Sequence, residues 1–194
     1  MKEKQTERTQ NMDLVTGIKE RRSIRKFQDR TVPHEVIEEI VNVAAYAPSW
    51  KNTQIARYIV VENREKIAAI ATEDCTLGFR YNIRTMENAP ALVLLTVVKG
   101  RSGYEKDGSY TTPKEDRWEM FDAGIAAQTF CLAAHEKGVG TVIMGIFDER
   151  KVAEVVEIPE GQQLAAIIAM GYPADGEVAA PPRKTAEQLL TIVE

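Results

Sequence analysis

Ala91-Leu92-Val93-Leu94-Leu95-Thr96-Val97-Val98 holds one polar residue in eight. A strand with one wet face alternates apolar and polar side chains, so a run without alternation must be covered on both faces. The stretch predicts a strand at the middle of a sheet with helices above and below it. Working outward, Tyr58–Val61, Thr141–Met144 and Leu164–Met170 read as further strands, about four in all. Helical segments fall between them. Residues 12–22 form a short helix ending in a basic cluster. Pro33 opens a second helix in which Ile37, Ile40, Val41, Ala44 and Ala47 keep the helical period, and Pro48 stops it. Asn63 caps a third, with Ile67, Ile70 and Ala71 on one face, and Asp148 caps one bearing Val152, Val155 and Val156. Thr112-Pro113-Lys114-Glu115 has the form of a capping box with proline at the first helical position. The helix expected from it runs to about Lys137, with Gly138 as its stop. Its many small residues, Ala123, Gly124, Ala126, Ala127, Ala133 and Ala134, allow close approach, which suits a central position. The expected fold is α+β, a three-layer α/β sandwich with a central mixed sheet flanked by helices.

A chain of 194 residues suits one domain better than two. Residues 1–11 read as a flexible leader and 12–174 as the domain. Residues 99–118 form a lid, starting from a polar loop with Gly100, Gly103 and Gly108. Residues 175–194 are a polar tail with an apolar end, Leu189, Leu190, Ile192 and Val193. A tail with no core of its own is expected to dock on a partner subunit. The net charge of −4 does not mark a nucleic-acid binder. Cys75 and Cys131 are far apart and lack a C-x-x-C, which argues against a disulfide framework or a zinc site. His34 reads as a surface residue, His135 as a complement to the carbonyl end of its helix, and Cys131 as core. There is neither a secretory leader nor an apolar run long enough for a membrane span, so the expected location is the cytoplasm.

Two segments carry chemistry. Arg21-Arg22-Ser23-Ile24-Arg25-Lys26-Phe27 places three guanidinium groups and a hydroxyl where a helix gives way to extended chain. Guanidinium groups bind phosphate through paired, charge-assisted hydrogen bonds. On composition alone, a solvated basic helix end explains the same residues. Ala47-Pro48-Ser49-Trp50-Lys51-Asn52-Thr53-Gln54 sets amide and hydroxyl groups between a helix and a strand. Such groups match the alternating donors and acceptors of an isoalloxazine edge or ribityl chain, and they also suit an ordinary turn.

Taken together and in order, these segments are similar to those of the nitroreductase family of FMN enzymes. The resemblance rests on RRSIRKF (21–27), APSWKNTQ (47–54), NAPALVLL (88–95), DAGIAAQTFCLAAHEKGVGT (122–141), GIFDERKV (145–152), IPEGQQLAAIIAMGYP (158–173) and PPRKTAEQL (181–189). It covers roughly residues 12–190. It implies an intertwined homodimer and a tightly bound FMN. Arg21, Arg22 and Ser23 are then phosphate and ribityl contacts, and Arg25 is the cation beside the pyrimidine end. A guanidinium there stabilises the negative charge that reduction places on flavin N1 and O2. Pro48, Ser49, Trp50 and Asn52 match a loop that reaches the flavin held mainly by the other subunit, with Gln54 bracing it. Asn82 matches a contact to the pyrimidine edge. Gly145 and Ile146 match backbone N–H groups near N5, and Arg183 and Lys184 match tail cations on the phosphate. Two departures stand out: Ile55-Ala56-Arg57 follows Gln54 where the family has Pro-Trp, and Ile146 replaces the second glycine of a pair.

The expected chemistry is ping-pong hydride transfer from NAD(P)H, as co-substrate, through FMN to small electron-poor acceptors such as nitroaromatics or quinones. No side-chain acid or base is assigned to it. The chain has no G-x-G-x-x-G, in keeping with a nicotinamide that visits and leaves. Tyr104, Tyr110, Trp118 and Phe121 are candidates to line the acceptor pocket, packing of the loop being the other reading. Tyr104-Glu105-Lys106 also suggests the dehalogenase branch of the superfamily, whose lid grips a halotyrosine with Glu, Tyr and Lys, though there the three are not contiguous. A flavin-fragmenting member and a low-turnover flavin-binding or sensing protein are the remaining alternatives.

Overall fold

The structure is a computed structural model and describes residues 13–174 and 178–194. The proposed leader, residues 1–11, lies outside the described residues. In chain order the elements are α1 (Leu14–Glu20), α2 (His34–Ala44), a 3-10 turn (Trp50–Asn52), β1 (Ala56–Val61), α3 (Arg64–Ile70), α4 (Arg80–Asn88) and β2 (Ala91–Val98). They continue with α5 (Arg117–Glu136), β3 (Gly140–Met144), α6 (Glu149–Val155), β4 (Gln162–Gly171) and α7 (Ala186–Leu189).

The strands lie in the order β1-β2-β4-β3. Residues 91–97 of β2 are all buried, as a doubly covered strand requires. Its side chains divide by the two-residue period. Ala91, Val93, Leu95 and Val97 join one core with Ile40, Ala127 and Phe130, beneath α2 and α5. Leu92 and Leu94 join a second core with Ile67, Ile70, Met86 and Val152, beneath α3, α4 and α6. The result is the expected three-layer sandwich. All neighbouring strands pair antiparallel. The parallel component of the expected mixed sheet is confined to one isolated bridge, Ser23 to Thr141, beside β3.

Several boundaries follow their local chemistry. Asn63 accepts from Lys66 N at 3.0 Å, and Asp148 accepts from Arg150 N at 2.9 Å, so both are N-caps. Gly138 has φ +71°, and Val139 N donates to Ala134 O at 2.8 Å, which closes α5. The expected start of α5 is corrected. Thr112 caps nothing helical; its hydroxyl accepts from Trp118 Nε1 at 2.8 Å, Glu115 has φ +56°, and the helix begins at Arg117. Helix α2 ends at Ala44, four residues before Pro48. Helix α4 has no counterpart in the sequence reading, because the side chains it buries are Asn82, Thr85 and Met86, and two of those three are polar.

Candidate functional site

After α1 the chain runs extended beside β3. Ser23 pairs with Thr141, and Ile24 N donates to Thr141 O at 2.9 Å. The close approach depends on Gly140, where a Cβ would lie 2.8 Å from that of Ile24. This course sets Arg21 and Arg22 at the start of β3. They line a cleft with Glu20, Ile24, His135, residues 138–141, Pro173 and residues 178–180 of the tail.

The Arg22 guanidinium is divided. Its Nη1 donates to Lys19 O at 2.6 Å and to Arg21 O at 3.0 Å, finishing α1, while its Nε is buried without a partner. His135 Nε2 is likewise buried without a partner. Burial, and then the positive charge of Arg21, hold the His135 imidazole below the usual histidine range. His135 lies in the last turn of α5 as expected, and its surroundings favour the neutral form of the ring. His34 is a surface residue as expected, bonded to Glu62 at 2.7 Å. Cys75 and Cys131 are both buried free thiols.

Further along, Arg25 Nη1 donates to Ser23 O at 3.2 Å, and its guanidinium lies 5.4 Å from the Tyr81 ring centroid. Asn82 follows Tyr81 and is buried on α4. Gly145 and Ile146 continue from the end of β3; a Cβ at Gly145 would meet nothing within 4 Å, and Ile146 is exposed. From Thr141 to Gly145 the backbone advances about 13 Å. An elongated ligand lying along β3 would therefore have Arg21 and Arg22 at one end and Gly145 at the other. Arg183 and Lys184 are exposed and are not among the residues lining the cleft; Arg183 bonds the carbonyls of Pro181 and Pro182.

The second segment sits elsewhere. In the turn after α2, Lys51, Asn52 and Gln54 all have left-handed φ, of +44°, +56° and +48°. Non-glycine residues persist there only where their surroundings over-determine the backbone. The surroundings are specific. Asp122 Oδ2 accepts from Trp50 N at 2.9 Å and from Ser102 Oγ at 2.5 Å, and Ser102 Oγ is 2.8 Å from Thr53 Oγ1. Ser49 Oγ accepts from Gln54 N at 2.8 Å, so Gln54 does brace the loop. Lys51 Nζ lies 3.1 Å from Glu105.

Trp50, Trp118 and Phe121 pack in series, the first pair tilted at 4.8 Å and the second edge-to-face at 5.5 Å between centroids, and line a pocket with Pro48, Ser49, Asp122 and Ile125. Trp50 Nε1 is buried without a partner. Tyr104 and Tyr110 are not in that pocket. They pack on each other at 4.9 Å, and the neighbouring Tyr110 phenol, with lesser contributions from burial and charge, pushes the Tyr104 phenol up to about 12. The four aromatics thus divide into a pocket pair and a loop clasp.

Two carboxylates escaped the sequence reading. Asp122 and Glu119 are both buried on α5. Glu119 accepts from Gly100 N at 2.6 Å, and burial raises its carboxyl above the usual range. Their spacing is the available signal, since both fall on the stripe of α5 that also buries Ala123, Ala126 and Phe130.

Trp50 is bonded to Asp122, and His135 lines the cleft at Arg21. These two positions of α5 are thirteen residues apart, or about 20 Å along the helix axis. One chain therefore holds its two ligand-like segments at opposite ends of one helix. Each end presents a buried polar atom lacking a partner, Arg22 Nε at one and Trp50 Nε1 at the other. A flavin nucleotide fits this donor set, having a phosphate for guanidinium groups and ring carbonyls for N–H groups. Among the described residues no cluster of His, Cys, Asp or Glu is placed to hold a metal, and no helix is long and apolar enough to cross a membrane.

Comparison with known proteins agrees with the fold. A family model described as the Nitroreductase family matches residues 18–172. A protein of Methanothermobacter thermautotrophicus, provisionally named NADH dehydrogenase/NAD(P)H nitroreductase, is 34% identical over 168 residues, covering 84% of this chain and 79% of its own length. An iodotyrosine deiodinase of Thermotoga neapolitana is 28% identical over 177 residues, covering 81% of this chain and 87% of its own. The solved structure of an FMN-dependent nitroreductase from Clostridium difficile superposes with a TM-score of 0.72 at 26% identity, covering 92% of this chain and 98% of that one.

Proposed function

The chain belongs to the nitroreductase family, and from that membership we propose that it is an FMN-dependent oxidoreductase working as a homodimer, with NAD(P)H as electron donor and small electron-poor acceptors such as nitroaromatics or quinones as substrates. The observation that carries the reading is the separation of the two segments along α5. Arg21, Arg22 and Ser23 of one copy hold the phosphate and ribityl chain. Arg25 and Asn82 face the pyrimidine edge, and the backbone at Gly145 and Ile146 approaches the N5 side. Pro48, Ser49, Trp50 and Asn52 come from the second copy. Arg183 and Lys184, not in the cleft within one chain, approach the phosphate once the tail is docked on a partner. FMN held there would supply two-electron redox chemistry between NAD(P)H and the acceptor. The pocket walled by Trp50, Trp118 and Phe121 orients a flat acceptor by stacking and excludes water.

Exposed apolar side chains support a second copy. Leu14, Val15 and Ile18 on α1, Met120 and Phe121 on α5, and Leu189, Leu190, Ile192 and Val193 in the tail are all solvent-facing in the single chain. The two reduced, buried cysteines suit a cytoplasmic location.

The test is complementation between subunits. Arg21→Ala and Asn52→Ala variants are purified, stripped of flavin and mixed under conditions that exchange subunits. Each alone is expected to bind little FMN. The mixture should recover about a quarter of the wild-type sites, the statistical yield of one intact site in half of the dimers. Absence of recovery, or a wild-type protein that is colourless and does not take up FMN, overturns the proposal.

A second reading is reductive dehalogenation, favoured by the deiodinase relative and by Tyr104, Glu105 and Lys106 in the lid. Glu105 is already engaged by Lys51, which weighs against its gripping a substrate amine. Turnover of nitrofurazone against iodotyrosine separates the two.

A further inference from the structure

The loop that reaches for the flavin and the lid over the acceptor are distant in sequence, yet both converge on one buried carboxylate. Asp122 Oδ2 accepts from the Trp50 amide at 2.9 Å and from the Ser102 hydroxyl at 2.5 Å, and Thr53 closes the circuit through Ser102 at 2.8 Å. The backbone it holds is strained, with left-handed φ at Lys51, Asn52 and Gln54. Asp122 is buried and lines the pockets on both sides of the loop.

We infer that Asp122 is a positioning residue that fixes the 49–54 loop and the lid segment from residue 100 as one body, so that flavin contact and acceptor access are set together. Three features lead there. The two hydrogen bonds share one oxygen, so neither segment can shift without disturbing the other's acceptor. A carboxylate oxygen is a strong acceptor, and hydrogen bonds to a carboxylate are roughly twice as strong as neutral ones. The strain would otherwise relax by letting the loop swing away from α5. The inference rests on the proposed function only for its effect on flavin; the coupling of the two segments stands apart from it.

The test is amide hydrogen exchange on the full-length protein without added flavin, followed by FMN titration and acceptor kinetics. Asp122→Ala leaves the Trp50 N–H and the Ser102 hydroxyl without their acceptor. Exchange in residues 49–54 and 100–111 should rise together by about tenfold or more, with β4 unchanged. Asp122→Asn keeps an acceptor oxygen for Trp50 and should restore most of the protection. Ser102→Ala, the milder change, should loosen residues 100–111 most and residues 49–54 less, because Thr53 loses a partner while Trp50 keeps Asp122. In the loaded enzyme, Asp122→Ala should weaken FMN binding and raise KM for the acceptor more than it lowers kcat, and Asp122→Asn should rescue both. Loosening of only one segment in Asp122→Ala, or a loosening of residues 49–54 in Ser102→Ala as large as in Asp122→Ala, overturns the inference. A wild type that binds no FMN defeats the proposed function but leaves the exchange result to decide this one.

Discussion

At the C-terminal end of α5 the Arg22 and His135 side chains each keep a buried nitrogen unpaired among the described residues; at the N-terminal end every polar group of the loop's circuit but the Trp50 indole N–H is bonded within the chain. The cleft beside His135 holds two buried polar atoms with no hydrogen bond among the described residues, Arg22 Nε and His135 Nε2. The loop beside Asp122 keeps the Trp50 amide, the Ser49, Thr53 and Ser102 hydroxyls and the Lys51 ammonium all engaged within the chain. The first region is unstrained and chemically incomplete. The second is bonded throughout except at the Trp50 indole N–H, and holds three residues at left-handed φ. The difference teaches that candidate binding residues come in two kinds: receivers, legible by what they lack, and presenters, legible by how firmly they are held.

Four experiments would break or sharpen that contrast. The largest effect should come from the rod that joins the ends. Phe130 is fully buried on α5 and stacks on Tyr58, so Phe130→Ala should cost about 3–5 kcal/mol in urea unfolding. A loss under ~1 kcal/mol would mean that the ends are not held by a common core. Next is the lid. Gly103 has φ +90°, and a Cβ there would overlap the Glu115 carbonyl oxygen. Gly103→Ala should cost about 2–3 kcal/mol, read as a Tm lower by roughly 5–10 °C. An unchanged Tm would show that the presenting end is not tightly built.

At the receiving end, Arg21→Ala should weaken FMN binding about 10–100-fold in fluorescence titration, as expected for losing a charged hydrogen bond. Arg22→Ala should lose less, because Nη1 of Arg22 serves the carbonyl of Lys19. Equal losses would contradict that division.

The smallest effect concerns the two histidines, which shift in opposite directions. For His135 the folded pKa is depressed, so its contribution to stability is full above 6.5 and is lost as pH falls below that value. For His34 the bond to Glu62 raises the folded pKa, so its contribution is present below 6.5 and is lost as pH rises through the folded value. In an NMR titration His135 should ionise at lower pH than His34, and FMN should raise His135 while leaving His34 alone. A flavin-insensitive His135 would place the phosphate elsewhere.

Much of this was legible in the sequence. The unbroken apolar run at 91–98 gave away the covered centre of the sheet, because solvent enforces alternation on any exposed face. Caps at Asn63 and Asp148 and the stop at Gly138 followed from side-chain chemistry confined to a few residues. What stayed hidden depended on distant partners. Helix α4 turns polar side chains inward, so it lacks the apolar period that would betray it. Thr112 looks like a cap until its hydroxyl is seen to accept from Trp118 Nε1. Asp122 opens the Ala-rich stretch of α5, and nothing near it in the chain shows a role, since its value lies in what residues 50 and 102 bring to it. The division of Tyr104 and Tyr110 from Trp118 and Phe121 likewise rests on loop geometry that composition does not encode.

The length of α5 has one more consequence. If each site is assembled from opposite ends of two helices, holding the cofactor depends on dilution. A lone chain offers half a site at each end, so flavin and subunit stabilise each other by mass action, and either one lost at low concentration takes the other with it. Cofactor content would then report how much of the protein is paired.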